Sequence, residues 1–328
     1  MDASPRVLIV GAGFMGTLHA RTVQASPLAT LCGVVDRDAA AGAAAAARFE
    51  VPAYTDLWRA VEQTRPYAAV VATPDPVHRE AVEVLALAGV HLLVEKPLAT
   101  SVEDAQAIVA LAERHGVRLM PGHILRFEPR CVQASTAVHS GQTGRPVLVG
   151  AARWGRTSLG ARVGATTSPL WHFLIHDIDL VQWVSGGVIA HVEGAVRVDS
   201  PAGLSTLTAT GLLSTGAAFH LATGWTLPDG TPEAYRASLE VHGERGHLHL
   251  AAEQHGLTVS GQDGAAGFAD AGWPTVHGEV DGPLRRQFEH FVSAIIDGGA
   301  FAVTAEDGLR AVRGAAAIEA ACVIRRLT

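Results

Sequence analysis

The run Arg6-Val7-Leu8-Ile9-Val10 leads without a gap into Gly11-Ala12-Gly13-Phe14-Met15-Gly16, and a helix-forming stretch follows. No other feature limits the fold of this chain so closely. A short continuous apolar run predicts a strand buried on both faces, as in a parallel sheet. Each glycine of the turn then has a task. The first makes the tight turn, the second lets the backbone approach a bound pyrophosphate, and the third permits close helix–strand packing. Unpaired N–H groups at the start of the helix favour the negative charge. The next strand, residues 29–35, ends in Asp36, whose carboxylate can accept hydrogen bonds from an adenosine ribose. A GxGxxG alone is weak in a chain with 35 glycines. Strand before, helix after and acid at the next strand end make it specific for a dinucleotide. Asp36 would repel a 2′-phosphate, which favours NAD. Arg37 beside it is the residue type that pairs with such a phosphate, so NADP stays open.

The alternation continues downstream. Helical stretches at residues 39–49, 56–63, 77–88 and 102–115 (the last capped by Ser101) alternate with strands at 68–72, 91–94 and 117–121. That order predicts an α/β fold whose first domain, residues 1–122, is a doubly wound parallel sheet of the Rossmann kind. From residue 123 to 328 the pattern changes. Strand-like runs at 146–153, 188–198, 204–214, 217–223, 237–241, 247–251 and 257–260 predict an α+β domain with an open, largely antiparallel sheet. Residues 261–282 read as a loop and 283–296 and 306–326 as helices, the last able to pack back on the first domain.

Length and charge exclude other classes. With 328 residues, 48% hydrophobic and 17% charged, the chain is neither disordered nor a coiled coil. A net charge of -7 without a Lys/Arg cluster argues against nucleic acid as a partner. No apolar run is long enough to span a bilayer, and the first residues lack the regions of a signal peptide. Cys32, Cys131 and Cys322 are odd in number and widely spaced, which predicts reduced thiols and a cytoplasmic location.

Further motifs resemble the Gfo/Idh/MocA oxidoreductase family. Ala72-Thr73-Pro74-Asp75-Pro76-Val77-His78 resembles its A-T-P-N-x-x-H loop, with Asp75 where asparagine is usual, and Glu95-Lys96-Pro97-Leu98 its most diagnostic motif. Gly122 to Pro129 resembles the G-H-x-x-R-F-x-P segment, and Ile175-His176-Asp177-Ile178-Asp179-Leu180 the H-D-I-D-L helix. Similar segments begin at Val241 and Thr304, so the resemblance runs through nearly the whole chain. It implies a hydride-transfer enzyme acting on CH–OH groups of a sugar, cyclitol or related polyol. It also implies an exposed sheet face that pairs subunits into homodimers or homotetramers, and a cis peptide bond near Pro97.

The resemblance and the fingerprint together name the cofactor-binding candidates Gly11, Gly13, Phe14, Met15, Gly16, Asp36, Arg37, Thr73, Pro74, His78, Glu95 and Lys96. Lys96 follows a parallel strand, at the edge where open α/β sheets bind ligands. An amine there can hold a substrate hydroxyl and exchange its proton while hydride leaves the same carbon. His176 and, one turn earlier, His172 are the further catalytic candidates, with Asp177 or Asp179 able to orient an imidazole. In the inositol-dehydrogenase branch an aspartate four residues before the histidine completes the relay; here that position is His172. Arg126, Arg153, Trp154, Trp171 and His172 are the substrate-binding candidates, with Trp225, Tyr235 and Trp273 as weaker ones. No metal site is expected, because the cysteines add no ligands to the two histidines. Two other functions fit the same motifs: a redox-assisted glycoside hydrolase using bound NAD, and a non-catalytic dinucleotide sensor.

Overall fold

The computed structural model describes residues 4–231, 235–251, 257–261, 264–268 and 273–328. The chain forms two compact units, Met1–Phe127 with Gly272–Val312, and Glu128–Ala271 with Arg313–Thr328. The sequence suggests a boundary at 122/123 with the last helix able to pack back on the first domain; contacts divide the chain after Phe127 and group Gly272–Val312 with the first unit.

In the first unit the elements follow the alternating order: β1 (Arg6–Val10), α1 (Phe14–Ala25), β2 (Thr30–Val35), α2 (Ala39–Phe49), β3 (Ala53–Tyr54), α3 (Leu57–Thr64), β4 (Ala68–Val71), α4 (His78–Leu87), β5 (His91–Val94), α5 (Val102–Arg114) and β6 (Leu119–Pro121). The strands form one parallel sheet in the order β3-β2-β1-β4-β5-β6. Strand order reverses between β1 and β4, so the loops after their C-terminal ends flank the switch point where such sheets bind ligands. The sheet is built from continuous apolar runs because both faces are covered. Val7, Ile9, Val34, Val70, Leu93 and Met120 pack in one core with Phe288 and Phe291. Asp38, Asp56 and Ser101 cap α2, α3 and α5 by accepting from backbone N–H groups one turn on.

The second unit contains α6 (Pro129–His139), β7 (Pro146–Arg156), α7 (Thr157–Val163), α8 (Ile175–Ser185), β8 (Ile189–Asp199), β9 (Ser205–Leu213), β10 (Ala218–Leu227), β11 (Tyr235–Gly243) and β12 (His247–Ala251). Two short hairpins follow, β13 (Leu257–Gly261) with β14 (Gly264–Phe268) and β15 (Thr275–Val276) with β16 (Glu279–Val280), the latter in the first unit. They lie within the stretch read partly as a loop; residues 262–263 and 269–272 of that stretch lie outside the described residues. Helices α9 (Pro283–Asp297) and α10 (Ala305–Ala321) and strand β17 (Cys322–Arg326) complete the chain.

The large sheet has the order β12-β11-β7-β10-β9-β8-β17 and is mostly antiparallel, with parallel pairs at β7/β10 and β8/β17. Along β9, Leu207, Ala209 and Leu213 are buried while Thr208, Thr210 and Leu212 are exposed, so one sheet face is covered and the other open. The last helix is shorter than its sequence suggests. It ends at Ala321, and residues 322–326 pair with β8 as an edge strand. The alanines of α10 give way there to the β-branched Val323 and Ile324, which fit a pleated edge better than a helix. Helix α6 carries a start signal the sequence reading passed over: Glu128 accepts from the Cys131 N–H and Pro129 opens the first turn.

Candidate active site

The three fingerprint glycines are held for different reasons. Gly11 has φ 102°, and a Cβ there would lie 2.5 Å from the Ala72 carbonyl oxygen. A Cβ on Gly16 would lie 1.8 Å from the Gly11 carbonyl oxygen, so only glycine lets α1 close on the turn. Gly13 has extended backbone that other residues adopt, and a Cβ on it meets nothing within 4 Å. The fold itself therefore requires the outer two glycines, whereas packing places no such demand on the middle one.

A cavity of about 330 Å³ opens beside this turn, lined among others by Gly11, Asp36, Arg37, Trp58, Thr73 and Pro74. Asp36 accepts from the Ala12 N–H at 2.6 Å and the Asp38 N–H at 2.8 Å. It thus braces the glycine turn, and a carboxylate retains further lone pairs for ribose hydroxyls. Arg37 is exposed at the cavity edge. The Thr73 hydroxyl is buried with no hydrogen-bond partner among the described residues. Open space at Gly13, a start of α1 that no side chain caps, and this orphaned hydroxyl fit a dinucleotide. Two fingerprint residues turn elsewhere: Met15 packs with Leu18, Val280 and Leu284, and exposed Phe14 meets the Trp273 ring edge-on at 5.8 Å.

Strand β5 delivers Glu95, Lys96 and Pro97, and the Lys96–Pro97 bond is cis. Lys96 is the only lysine in the sequence; every other basic side chain of its class is arginine. Glu95 is buried, its Oε1 2.7 Å from the Nε2 of His19 on α1 and its Oε2 accepting from the Lys96 N–H at 3.2 Å. Burial alone would push the Glu95 carboxyl up, but the His19 hydrogen bond, with help from Lys96, holds it below the usual carboxylate range. Asp75, half-buried on the neighbouring loop, is pushed up by burial while Lys96 and His78 pull it down. His78 is fully buried, and its ring nitrogens lie 3.0 Å from the carbonyl oxygens of Pro97 and Thr73. It clasps the Thr73 loop to the Lys96 loop.

In the second unit, His172 lies in a π-helical turn, Leu170–Leu174, and His176 in the first turn of α8, both half-buried. Such wide turns are rare and recur at functional sites. The His172 ring faces those of Phe173 at 5.0 Å and Trp225 at 6.3 Å. Trp225 is buried and closely covered by α7, since a Cβ on Gly160 would lie 2.7 Å from its ring. Asp177 is turned away from either histidine role: it is fully buried and accepts two hydrogen bonds from Arg153, at 2.8 and 3.0 Å. Burial pushes its carboxyl up, and the guanidinium pulls it part-way back.

Comparison with known proteins places this arrangement. The model of the oxidoreductase family with an NAD-binding Rossmann fold, Gfo/Idh/MocA, matches residues 5–123, and the model of the Gfo/Idh/MocA C-terminal domain matches 131–249. The chain belongs to this oxidoreductase family. Among Gfo/Idh/MocA relatives, inositol 2-dehydrogenase 1 of Saccharopolyspora erythraea is 30% identical over 97% of this chain and 93% of its own. D-apiose dehydrogenase of Paraburkholderia graminis is 25% identical over 92% and 83%. A scyllo-inositol dehydrogenase structure from Lactobacillus casei, with bound NAD(H) and scyllo-inositol, superposes with TM-score 0.80 at 21% identity, covering 98% and 97%. The fold and family expected from the motifs hold.

Several residues offered as substrate contacts of this Gfo/Idh/MocA member are committed internally. Arg153 is buried against Asp177, with the Tyr235 ring 5.4 Å from its guanidinium, and joins β7 to α8. Arg126 is buried and paired with Asp307 at 3.1 Å. Trp171 is buried and donates its indole N–H to Glu319 at 3.0 Å. Trp154 is half-buried on β7. The sequence reading missed His19, three residues beyond the fingerprint, because a histidine inside an amphipathic helix carries no sign of a partner 76 residues away. It also passed over an available signal for Lys96, its being the sole lysine.

Proposed function

We propose that this chain interconverts a secondary alcohol and ketone of a sugar, cyclitol or related polyol, using NAD, with Lys96 and His176 in proton transfer. The observation that carries the reading is Lys96. Twenty-four of its 25 Lys+Arg residues are arginine, so wherever positive charge suffices this chain uses a guanidinium. Arginine does not release its proton in proteins, whereas lysine does. The one position holding an amine is the loop after β5, beside the buried Glu95 carboxylate. When bound, NAD supplies the acceptor and donor of the hydride. Lys96 holds the substrate oxygen and gives or takes its proton, and His176 carries that proton onward. His172 shapes the substrate site in place of a relay carboxylate.

Asp36 supports NAD over NADP, since its charge opposes a 2′-phosphate while its lone pairs accept ribose hydroxyls. The inositol and apiose dehydrogenases among its relatives support a polyol substrate. The open sheet face, with Val196, Leu212 and Val323 exposed, supports pairing with a second copy into a homodimer or homotetramer. The free cysteines Cys32, Cys131 and Cys322 accord with a cytoplasmic enzyme.

The test is turnover of Lys96→Ala and Lys96→Arg on a panel of sugars and cyclitols, followed by reduced-nicotinamide absorbance. Both variants are expected to lose about 10²–10⁴-fold in kcat, the usual worth of a positioned acid–base group. NAD affinity should stay near that of the parent. Near-normal turnover by Lys96→Arg would refute proton exchange at this position.

A further inference from the structure

Helix α1 does two things with one rigid body. Its N-terminus forms part of the glycine turn, and His19, in its second turn, reaches Glu95. His19 is 1% exposed and Glu95 7%, so water does not compete for their 2.7 Å contact. An ionised carboxylate is an acceptor only, so His19 donates from Nε2. The other Glu95 oxygen accepts from the Lys96 N–H. There is no slack on the remaining side: a Cβ on Gly122 would lie 3.0 Å from Glu95 Cα and 3.2 Å from Oε2. The carboxylate is therefore fixed by two segments distant in sequence and by its own neighbour Lys96, and a buried anion is held within electrostatic reach of the chain's only lysine.

We propose that His19 is a positioning residue: by donating to Glu95 it keeps that side chain anionic and locked onto the Lys96 backbone. The helix that cradles the cofactor is thereby joined to the lysine that moves the proton. This rests on the reading of Lys96 as the proton-transfer group, but its physical core, a His19–Glu95–Lys96 linkage, is measurable without substrate. Remove His19, and the buried carboxylate loses the donor that offsets its burial, which favours its protonated form. The negative charge beside Lys96 then disappears, and the ammonium loses its stabilisation. Asp75 and His78, the other titratable groups on the adjoining loop, are the same in every variant below.

Because Lys96 is the only lysine, reductive methylation with ¹³C-formaldehyde labels it and the N-terminal amine alone. NMR titration of the labelled full-length protein, with and without NAD, reads Lys96 directly. His19→Ala is expected to lower the Lys96 midpoint by about one pH unit or more, the usual effect of losing a neighbouring opposite charge. Glu95→Gln should lower it equally, and His19→Ala in the Glu95→Gln background should add nothing. His19→Gln, whose amide can donate to the same oxygen, should keep the midpoint near that of the parent, and His19→Leu, which fills the space without donating, replaces His19→Ala if the latter fails to fold. The proposal is overturned if Glu95→Gln moves the midpoint while His19→Ala leaves it in place, if the two effects add, or if Glu95→Gln leaves it unmoved. Failure of the functional reading looks different: Lys96→Arg would keep its turnover while the titration coupling persisted.

Discussion

Gly13 and Gly16 lie three residues apart in one turn, yet alanine should harm them in opposite ways. At Gly16 the new Cβ would sit 1.8 Å from the Gly11 carbonyl oxygen, against an ordinary contact of 3.4 Å or more. Both partners are backbone, so α1 must move off the turn. We expect a loss of about 3 kcal/mol or more of folding stability, at or beyond the upper end of overpacking costs. At Gly13 the Cβ meets nothing within 4 Å and φ is -68°. Gly13→Ala should fold normally and even gain about 0.4–1 kcal/mol from a less flexible unfolded chain. Its methyl, however, occupies the space a pyrophosphate needs. Losing one or two hydrogen bonds to a charged group, at about 1.5–3 kcal/mol each, weakens NAD on the order of 10²-fold. Urea unfolding measures the first quantity and calorimetric titration with NAD the second. The reasoning fails if Gly13→Ala binds NAD like the parent, or if it loses as much stability as Gly16→Ala.

Other outcomes follow from the buried charges. Arg153→Met leaves Asp177 without its partner and should cost about 3–5 kcal/mol by urea unfolding; a loss under 1 kcal/mol would contradict the buried pair. Glu95 is held below its ordinary value in the folded state, so its contribution to stability is fully present above about pH 4.3 and is lost as pH falls through the folded value. Unfolding measured between pH 6 and 3 should therefore show an acid slope that Glu95→Gln flattens. Burial and the Glu128 charge push the Cys131 thiol up to about 12, so it should resist iodoacetamide at pH 8 until the protein unfolds.

Legibility of the site tracked how local each feature is. The parallel sheet, the glycine turn and Asp36 could be read because each is a short run with its own geometry; the turn follows β1 beside the switch point, and Asp36 ends β2 one strand over. The large sheet was also read strand by strand, since alternation along a strand such as β9 reports its two faces. Residues 322–326 were misjudged because no glycine or proline marks the end of the helix before Val323 and Ile324, and the partner strand β8 turns them into an edge. By analogy with the family, Arg153 reads as a substrate contact, ending a strand that faces the nicotinamide. Nothing near it in sequence announces Asp177 on α8, 24 residues away.

The sequence by itself determined the order of strands and helices in the first unit, the nature of the cofactor cradle and the placing of a single amine on the loop after β5. Those depend on neighbours along the chain, whose spacing is written in the residues. Only the tertiary structure decided which charges are already taken. It commits Arg126 to Asp307, Arg153 to Asp177 and Trp171 to Glu319, and sets His19 behind Glu95. A buried polar group must find its partner wherever packing brings one close, and that distance is set by the fold, not by separation along the chain.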